Sequence, residues 1–163
     1  MPTAVALAAV LLTIFRRPVA TRYSERRRAT TIFAILVALQ AVHFLEEYGT
    51  GFHEQFPQVL RLVPWPSDFF VVFNVTWLAL GTAAVIGLAA GYRLAFVPAW
   101  FFALAGIANG IGHPLLAVLS GGYFPGLVTS PLVGIAGVLL WRSLNAITEA
   151  EETSRLPGSL SST

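Results

Sequence analysis

Apolar positions fall into four long blocks along the chain, residues 30–48, 69–90, 94–119 and 131–147. Each approaches or exceeds the roughly 20 apolar residues that cross a hydrocarbon core about 30 Å thick. Runs of this length, without the period-2 alternation of strands, read as helices. A shorter block, residues 2–15, would extend only about 20 Å at the helical rise of about 1.5 Å per residue. It is expected to dip into the membrane or lie at its interface. No positive charge precedes it and no small-residue cleavage site precedes Arg16, so it does not read as a removable secretory signal. The pattern predicts an all-α, polytopic transmembrane bundle in three parts. Residues 1–29 form an apolar helix and an Arg-rich cytoplasmic segment, 30–147 a four-helix membrane domain, and 148–163 a disordered polar tail.

Boundary residues support these elements. Ser67 or Asp68 is expected to cap the second span, and Ser130 before Pro131 to start the fourth as N-cap and first-turn proline. Gly87 with Gly91, and Gly106 with Gly110, put small residues one turn apart, a face on which helices approach closely. Trp65, between Pro64 and Pro66, is placed to anchor at the headgroups, and Phe101, Phe102, Trp77 and Trp100 to face lipid or pack. Pro114 removes the donor that would bond the Gly110 carbonyl, so the third span is expected to kink at His113. No internal repeat is visible, which argues against a doubled transporter fold.

Composition strengthens the membrane reading. Of 163 residues, 56% are hydrophobic and only 11% charged, and the mean hydropathy of +0.72 is too high for a soluble domain of this size. The net charge of +2 does not signal a nucleic-acid partner, because six of the ten basic residues crowd between Arg16 and Arg28 beside the first long span. That is the positive-inside pattern, and with Arg93 and Arg142 it puts one end of the bundle in the cytoplasm. All the basic residues are arginine, and alanine and glycine abound, which points to a high-GC prokaryote and its plasma membrane. There is no cysteine, so disulfides, thiolate metal sites and cysteine nucleophiles are excluded. Any metal must be held by nitrogen and oxygen.

Chemistry is concentrated at a few polar residues inside apolar blocks. His43, Glu46 and Glu47, at i, i+3 and i+4, share one helical face. Ionisable groups at such depth are costly and mark functional sites. Asn109 and His113 form a second such set on the third span. Counted from the helix ends, His43, His113 and Asn74 lie at similar depths, and Thr129 and Ser130 start the fourth span at the same level. The polar groups of four helices are therefore expected to meet toward the extracytoplasmic side. The N-terminus of the fourth span would favour an anion there, whereas Glu46 and Glu47 sit near the C-terminus of their own helix and need a partner. His53 and Glu54 lack the second histidine of a zinc-protease motif and read as a wet loop.

At these residues the chain resembles the HXXEE family of integral membrane proteins. His43-Phe44-Leu45-Glu46-Glu47 fits the name motif, Asn109-Gly110-Ile111-Gly112-His113 an NXXXH motif, and Tyr123-Phe124-Pro125-Gly126 a YXPG motif, in the family's order. The resemblance implies a membrane protein suspected of being an enzyme, with no substrate assigned.

The reading that follows is a membrane-embedded enzyme acting on a lipid-like or small apolar substrate by hydrolysis or transfer. A divalent metal, zinc or iron, would be held by His43, His113 and one or both of Glu46 and Glu47. The other glutamate would serve as base, with Asn109 orienting water or substrate and Tyr123 acting as a lid. A metal-free acid/base pair, a small proton-coupled transporter and a structural assembly protein are the alternatives. Membrane lipids are the expected surroundings.

Overall fold

The computed structural model describes residues 2–18 and 23–150. Six helices make up nearly all of this: α1 (Pro2–Phe15), α2 (Tyr23–Gly49), α3 (Phe52–Val59), α4 (Ser67–Ala89), α5 (Phe96–Leu119) and α6 (Ser130–Ala146). A single 3-10 turn, Arg93–Ala95, leads into α5. Two three-residue strands, β1 (Arg16–Pro18) and β2 (Thr148–Ala150), pair antiparallel. The fold is all-α apart from that ladder. The remainder of the expected polar tail, residues 151–163, lies outside the described residues.

Three segments, Tyr23–Gly49, Ser67–Ala89 and Arg93–Leu119, are long and apolar enough to cross a membrane. The fourth expected span, α6, has 17 residues, about 25 Å at the helical rise, and is a shorter member of the bundle. α2 starts before its apolar block because Ser24 to Arg28 include good helix formers, which carry the helix past the hydrophobic boundary. α1 packs along α5, with Ala9 fully buried and the Thr13 carbonyl accepting a bond from Arg93 Nη2 at 3.4 Å. The short N-terminal helix is thus docked on the bundle. Arg16 reaches Thr148 at 2.9 Å and lies over the Trp100 ring, and Arg26 lies beside Gly91. These arginines gather at one end, about 25 Å along α2 from His43 by residue count.

Between the two ends the core is apolar. Phe33, Leu36, Val37, Leu88, Phe96, Trp100, Phe102, Val133, Leu140 and Leu144 are buried together, and Trp77 stacks on Phe101 at 3.8 Å. Trp100 and Phe102 therefore act as packing groups. α5 and α6 come closest, through glycines on both sides: a Cβ at Gly110 would stand 2.7 Å from the Gly134 Cα, and one at Gly137 2.8 Å from the Ala103 carbonyl oxygen. The Gly106/Gly110 face is a helix-contact surface, as the one-turn spacing predicts. Gly87 and Gly91 serve a different purpose. Gly91, at φ +82, reverses the chain after α4, and Gly87 abuts Ala95 across that turn.

Other local expectations differ from the structure. Pro66 occupies the N-cap position of α4, and neither Ser67 nor Asp68 caps it; Asp68 Oδ1 accepts only from the adjacent Phe69 N–H. α6 begins at Ser130 with Thr129 at the cap position and no side-chain cap; its first N–H groups, on Ser130, Leu132 and Val133, go to the Gly126 and Thr129 carbonyls. α5 carries Pro114 inside an unbroken helix, which is compatible with the expected kink at His113. The expected wet loop after α2 contains α3, which starts after Gly51 at φ +81 and carries Pro57 inside it.

The glycine contact yields a stability test. Gly110→Val should lower stability by about 1–3 kcal/mol through overpacking. Gly112→Ala, with open space around it, should be neutral or slightly stabilising. Thermal unfolding of both variants in detergent measures the difference.

Candidate functional site

At the end of the bundle opposite the arginines, α2 and α5 bring together the two clusters read from the sequence. The His43 and His113 rings stand edge to face, 4.7 Å between centroids and 88° between planes. Glu47 Oε1 lies 3.5 Å from His43 Nε2 and 3.3 Å from His113 Nε2. All three residues are buried, His43 completely. One donor atom from each falls within 4.8 Å of the others, so this group could hold a metal ion.

The tautomers of both histidines follow from their partners. His113 Nδ1 lies 2.6 Å from the Pro125 carbonyl oxygen, which can only accept, so the proton is on Nδ1. His43 Nδ1 lies 2.7 Å from Thr129 Oγ1, and that hydroxyl donates to Glu46 Oε2 at 2.5 Å. The hydroxyl has one proton and gives it to the carboxylate, so it accepts from His43 Nδ1–H. With Nδ1 so occupied on each ring, both Nε2 atoms and the Glu47 carboxylate face one another. His43 Nε2 is buried without a hydrogen-bond partner. Three acceptors facing one another repel unless a cation or a shared proton lies between them. Metal bonds of about 2.0–2.1 Å put neighbouring ligand atoms of a tetrahedral site about 3.3 Å apart. The two nitrogen-to-oxygen separations are close to that value.

The two glutamates of the motif have separated. Glu47 faces the histidines. Glu46 turns to the N-terminus of α6, where Oε1 accepts from Val128 N–H at 2.9 Å and Tyr123 O–H at 2.8 Å, and Oε2 from Thr129 N–H at 2.9 Å and the Thr129 hydroxyl. It is the anion that the helix end favours. With four donors on its two oxygens, Glu46 is placed as an organiser; it stands outside the metal-capable group. Tyr123, half exposed, ties its loop to Glu46. Partial burial and the Glu46 carboxylate raise its phenol above the usual range and keep it a donor.

The other expected residues are peripheral. Asn109 is half-buried one turn before His113, and its amide makes no hydrogen bond among the described residues. Asn74 bonds back to the Phe70 carbonyl in its own helix at 2.9 Å. His53, read from sequence as wet, has a side chain only 12% exposed, sandwiched between Tyr48 and Phe70, and takes no part in the cluster. Trp65 packs on Phe56 at 5.6 Å and its main-chain N–H donates to the His53 carbonyl, which ties the loop down.

Four contributors carried no sequence signal of their roles. Phe52, from the unexpected α3, covers His113 with centroids 5.4 Å apart, and Phe124 lies 6.3 Å from the same ring. Aromatic residues are so frequent here that neither stood out. Thr129 could be placed in the polar layer but not given a partner. Gly126 proves tighter than a turn requires: besides its φ of +86, an added Cβ would meet His113 Nδ1 at 2.6 Å and His43 Cε1 at 2.8 Å. The absent side chain is the space both imidazoles occupy.

A buried carboxylate between two tautomer-locked imidazoles, in an apolar helical bundle, defines a membrane-type helical protein with a candidate metal centre. The family model for proteins of unknown function with an HXXEE motif matches residues 34–140, more than half of the chain, and the chain belongs to that family. No curated protein and no solved structure matches it.

Gly126→Ala should lower stability by about 1–3 kcal/mol more than Gly121→Ala. Both sites have positive φ, but Gly121 has nothing within 4 Å of the added Cβ. Equal losses in chemical or thermal unfolding would mean that the rings yield freely. Separately, Glu46→Gln should cost about 2 kcal/mol, because the amide N–H₂ must face a backbone N–H that formerly donated to a carboxylate. Tyr123→Phe should cost less than half of that in the same assay.

Proposed function

We propose that the protein is a membrane-embedded, metal-dependent enzyme that hydrolyses or transfers a group on a lipid-like substrate. The observation that carries this reading is the convergence of two Nε2 lone pairs and the Glu47 carboxylate on one buried point. Two imidazoles and one carboxylate, each imidazole held through its other ring nitrogen, is the donor arrangement of catalytic zinc sites, with the fourth position left for water or substrate. A metal there would supply Lewis acidity and lower the pKa of bound water. His43 and His113 would hold it, with Glu47 Oε1 completing the set, and the second oxygen of Glu47 would take a proton from water. Glu46, with four donors on its two oxygens, serves as organiser rather than base. Iron in the same ligands would direct the site to oxidation with an external oxidant.

The surroundings favour an apolar substrate. Phe52 and Phe124 flank the His113 ring, and Phe44 and Phe70 continue the aromatic wall around Phe52. The apolar core between the cluster and the arginine end supports a closed reaction site over a proton pathway through the bundle. The arginines at the opposite end support a multi-pass placement in a prokaryotic plasma membrane, with the site toward the extracytoplasmic half.

Metal content of detergent-purified protein tests the reading. After equilibration with Zn²⁺ or anaerobic Fe²⁺ and desalting, wild type should retain about one ion per chain. Glu47→Gln and His113→Ala, checked as folded by their melting transitions, should lose at least 100-fold in affinity. Metal-dependent cleavage of long-chain acyl ester probes in mixed micelles should disappear in the same variants. Wild type that retains no ion, or a folded Glu47→Gln variant that binds as wild type does, would remove the metalloenzyme.

A further inference from the structure

We propose that Thr129 is a positioning residue that sets the tautomer of His43 and so decides whether that imidazole can bind a metal. For its metal arm, this rests on the metal-centre reading above; for its tautomer arm, it stands on the hydrogen bonds alone. Thr129 belongs to none of the three motifs that mark the site.

The argument is one of proton counting. The Thr129 hydroxyl lies between His43 Nδ1 at 2.7 Å and Glu46 Oε2 at 2.5 Å, and it has a single proton. The carboxylate only accepts, so the hydroxyl proton points to it and the oxygen lone pair faces the ring. The ring proton is therefore held on Nδ1, and Nε2, fully enclosed and without a partner, presents its lone pair to the cluster. Remove the hydroxyl and Nδ1 faces hydrocarbon. The neutral ring then does better with its proton on Nε2, donated to Glu47 Oε1 only 3.5 Å away. That tautomer keeps its lone pair on Nδ1, on the Thr129 side, and turns none to the cluster.

The two histidines differ in this respect. His113 is locked by the main-chain carbonyl of Pro125, which no side-chain substitution removes. His43 depends on one hydroxyl, itself oriented by Glu46, whose other oxygen is held by Val128 N–H and Tyr123 O–H. The order Glu46, Thr129, His43 is a carboxylate acting on a ligand histidine through an intervening hydroxyl, an outer-shell arrangement that orients the ring and raises its basicity. It also accounts for the first glutamate of the motif, which stands outside the metal-capable group.

The test compares Thr129→Val, nearly the same shape without the hydroxyl, with Thr129→Ser, which keeps it. Two readouts are taken on the full chain in detergent: the ¹⁵N tautomer pattern of the histidines in the metal-free protein, and Co²⁺ affinity by visible absorption with a competing chelator. Thr129→Val should move His43 to the Nε2–H form, leave His113 unchanged and lower Co²⁺ affinity roughly 10–100-fold. Thr129→Ser should stay within a few-fold of wild type in affinity and keep Nδ1–H. An unchanged His113 signal shows that the pocket is intact; if the valine variant does not fold, Thr129→Ala carries the same expectation. His43 remaining Nδ1–H in the folded valine or alanine variant overturns the proposal, as does binding of Co²⁺ by that variant as tightly as by the serine one. Wild type that binds no Co²⁺ removes the metal centre, and the tautomer pattern alone then decides for or against Thr129.

Discussion

The contact on which the site depends is the Glu46 carboxylate at the start of α6. One side chain near the C-terminus of α2 accepts two backbone N–H groups of the turn that leads into α6, together with the hydroxyls of Thr129 and Tyr123. Both N–H groups precede the helix, whose own first donors, on Ser130, Leu132 and Val133, bond to main-chain carbonyls. The carboxylate thus fastens the turn before α6 and sits at the positive end of that helix's dipole. This joins α2 to α6 and to the loop that carries Pro125 and Gly126, and through them the two imidazoles are held.

Close backbone approach makes the rest of the arrangement possible. Glycine against glycine lets α5 and α6 come near enough for His113 to reach the turn preceding α6. In that turn Gly126 leaves room for both rings, while the Pro125 carbonyl fixes the tautomer of one of them. Tyr123 binds the same loop to Glu46. The three motifs are thus parts of one interlocked unit: the first supplies an organiser and two donors, the second a donor, and the third the tether, the carbonyl and the space.

Burial gives that unit its chemical tension. Apolar packing below and the aromatic cover of Phe52 and Phe124 keep the cluster from water, so the mutual repulsion of three acceptors is poorly screened. A cation or a shared proton relieves it, and both are the currency of catalysis.

Much of this was legible in the sequence, for physical reasons. Hydrophobic block length determines helices in a medium with no backbone partners, so the long elements and the arginine-rich end could be read directly. Helical periodicity placed His43 and Glu47 on one face, and rise per residue put His113 at their depth. Periodicity could not divide Glu46 from Glu47, since adjacent carboxylates one residue apart point about 100° apart and only the position of α6 decides which partner each one meets. The short α3 escaped because a helix of 8 residues beginning after a left-handed glycine and holding a proline has little local signal; its aromatic packing on the site stabilises it. The type and depth of the reactive groups were determined by the chain itself, because they follow from local spacing. Their protonation and division of labour were decided only by tertiary structure, because a hydrogen bond such as Thr129 to His43 joins residues 86 positions apart.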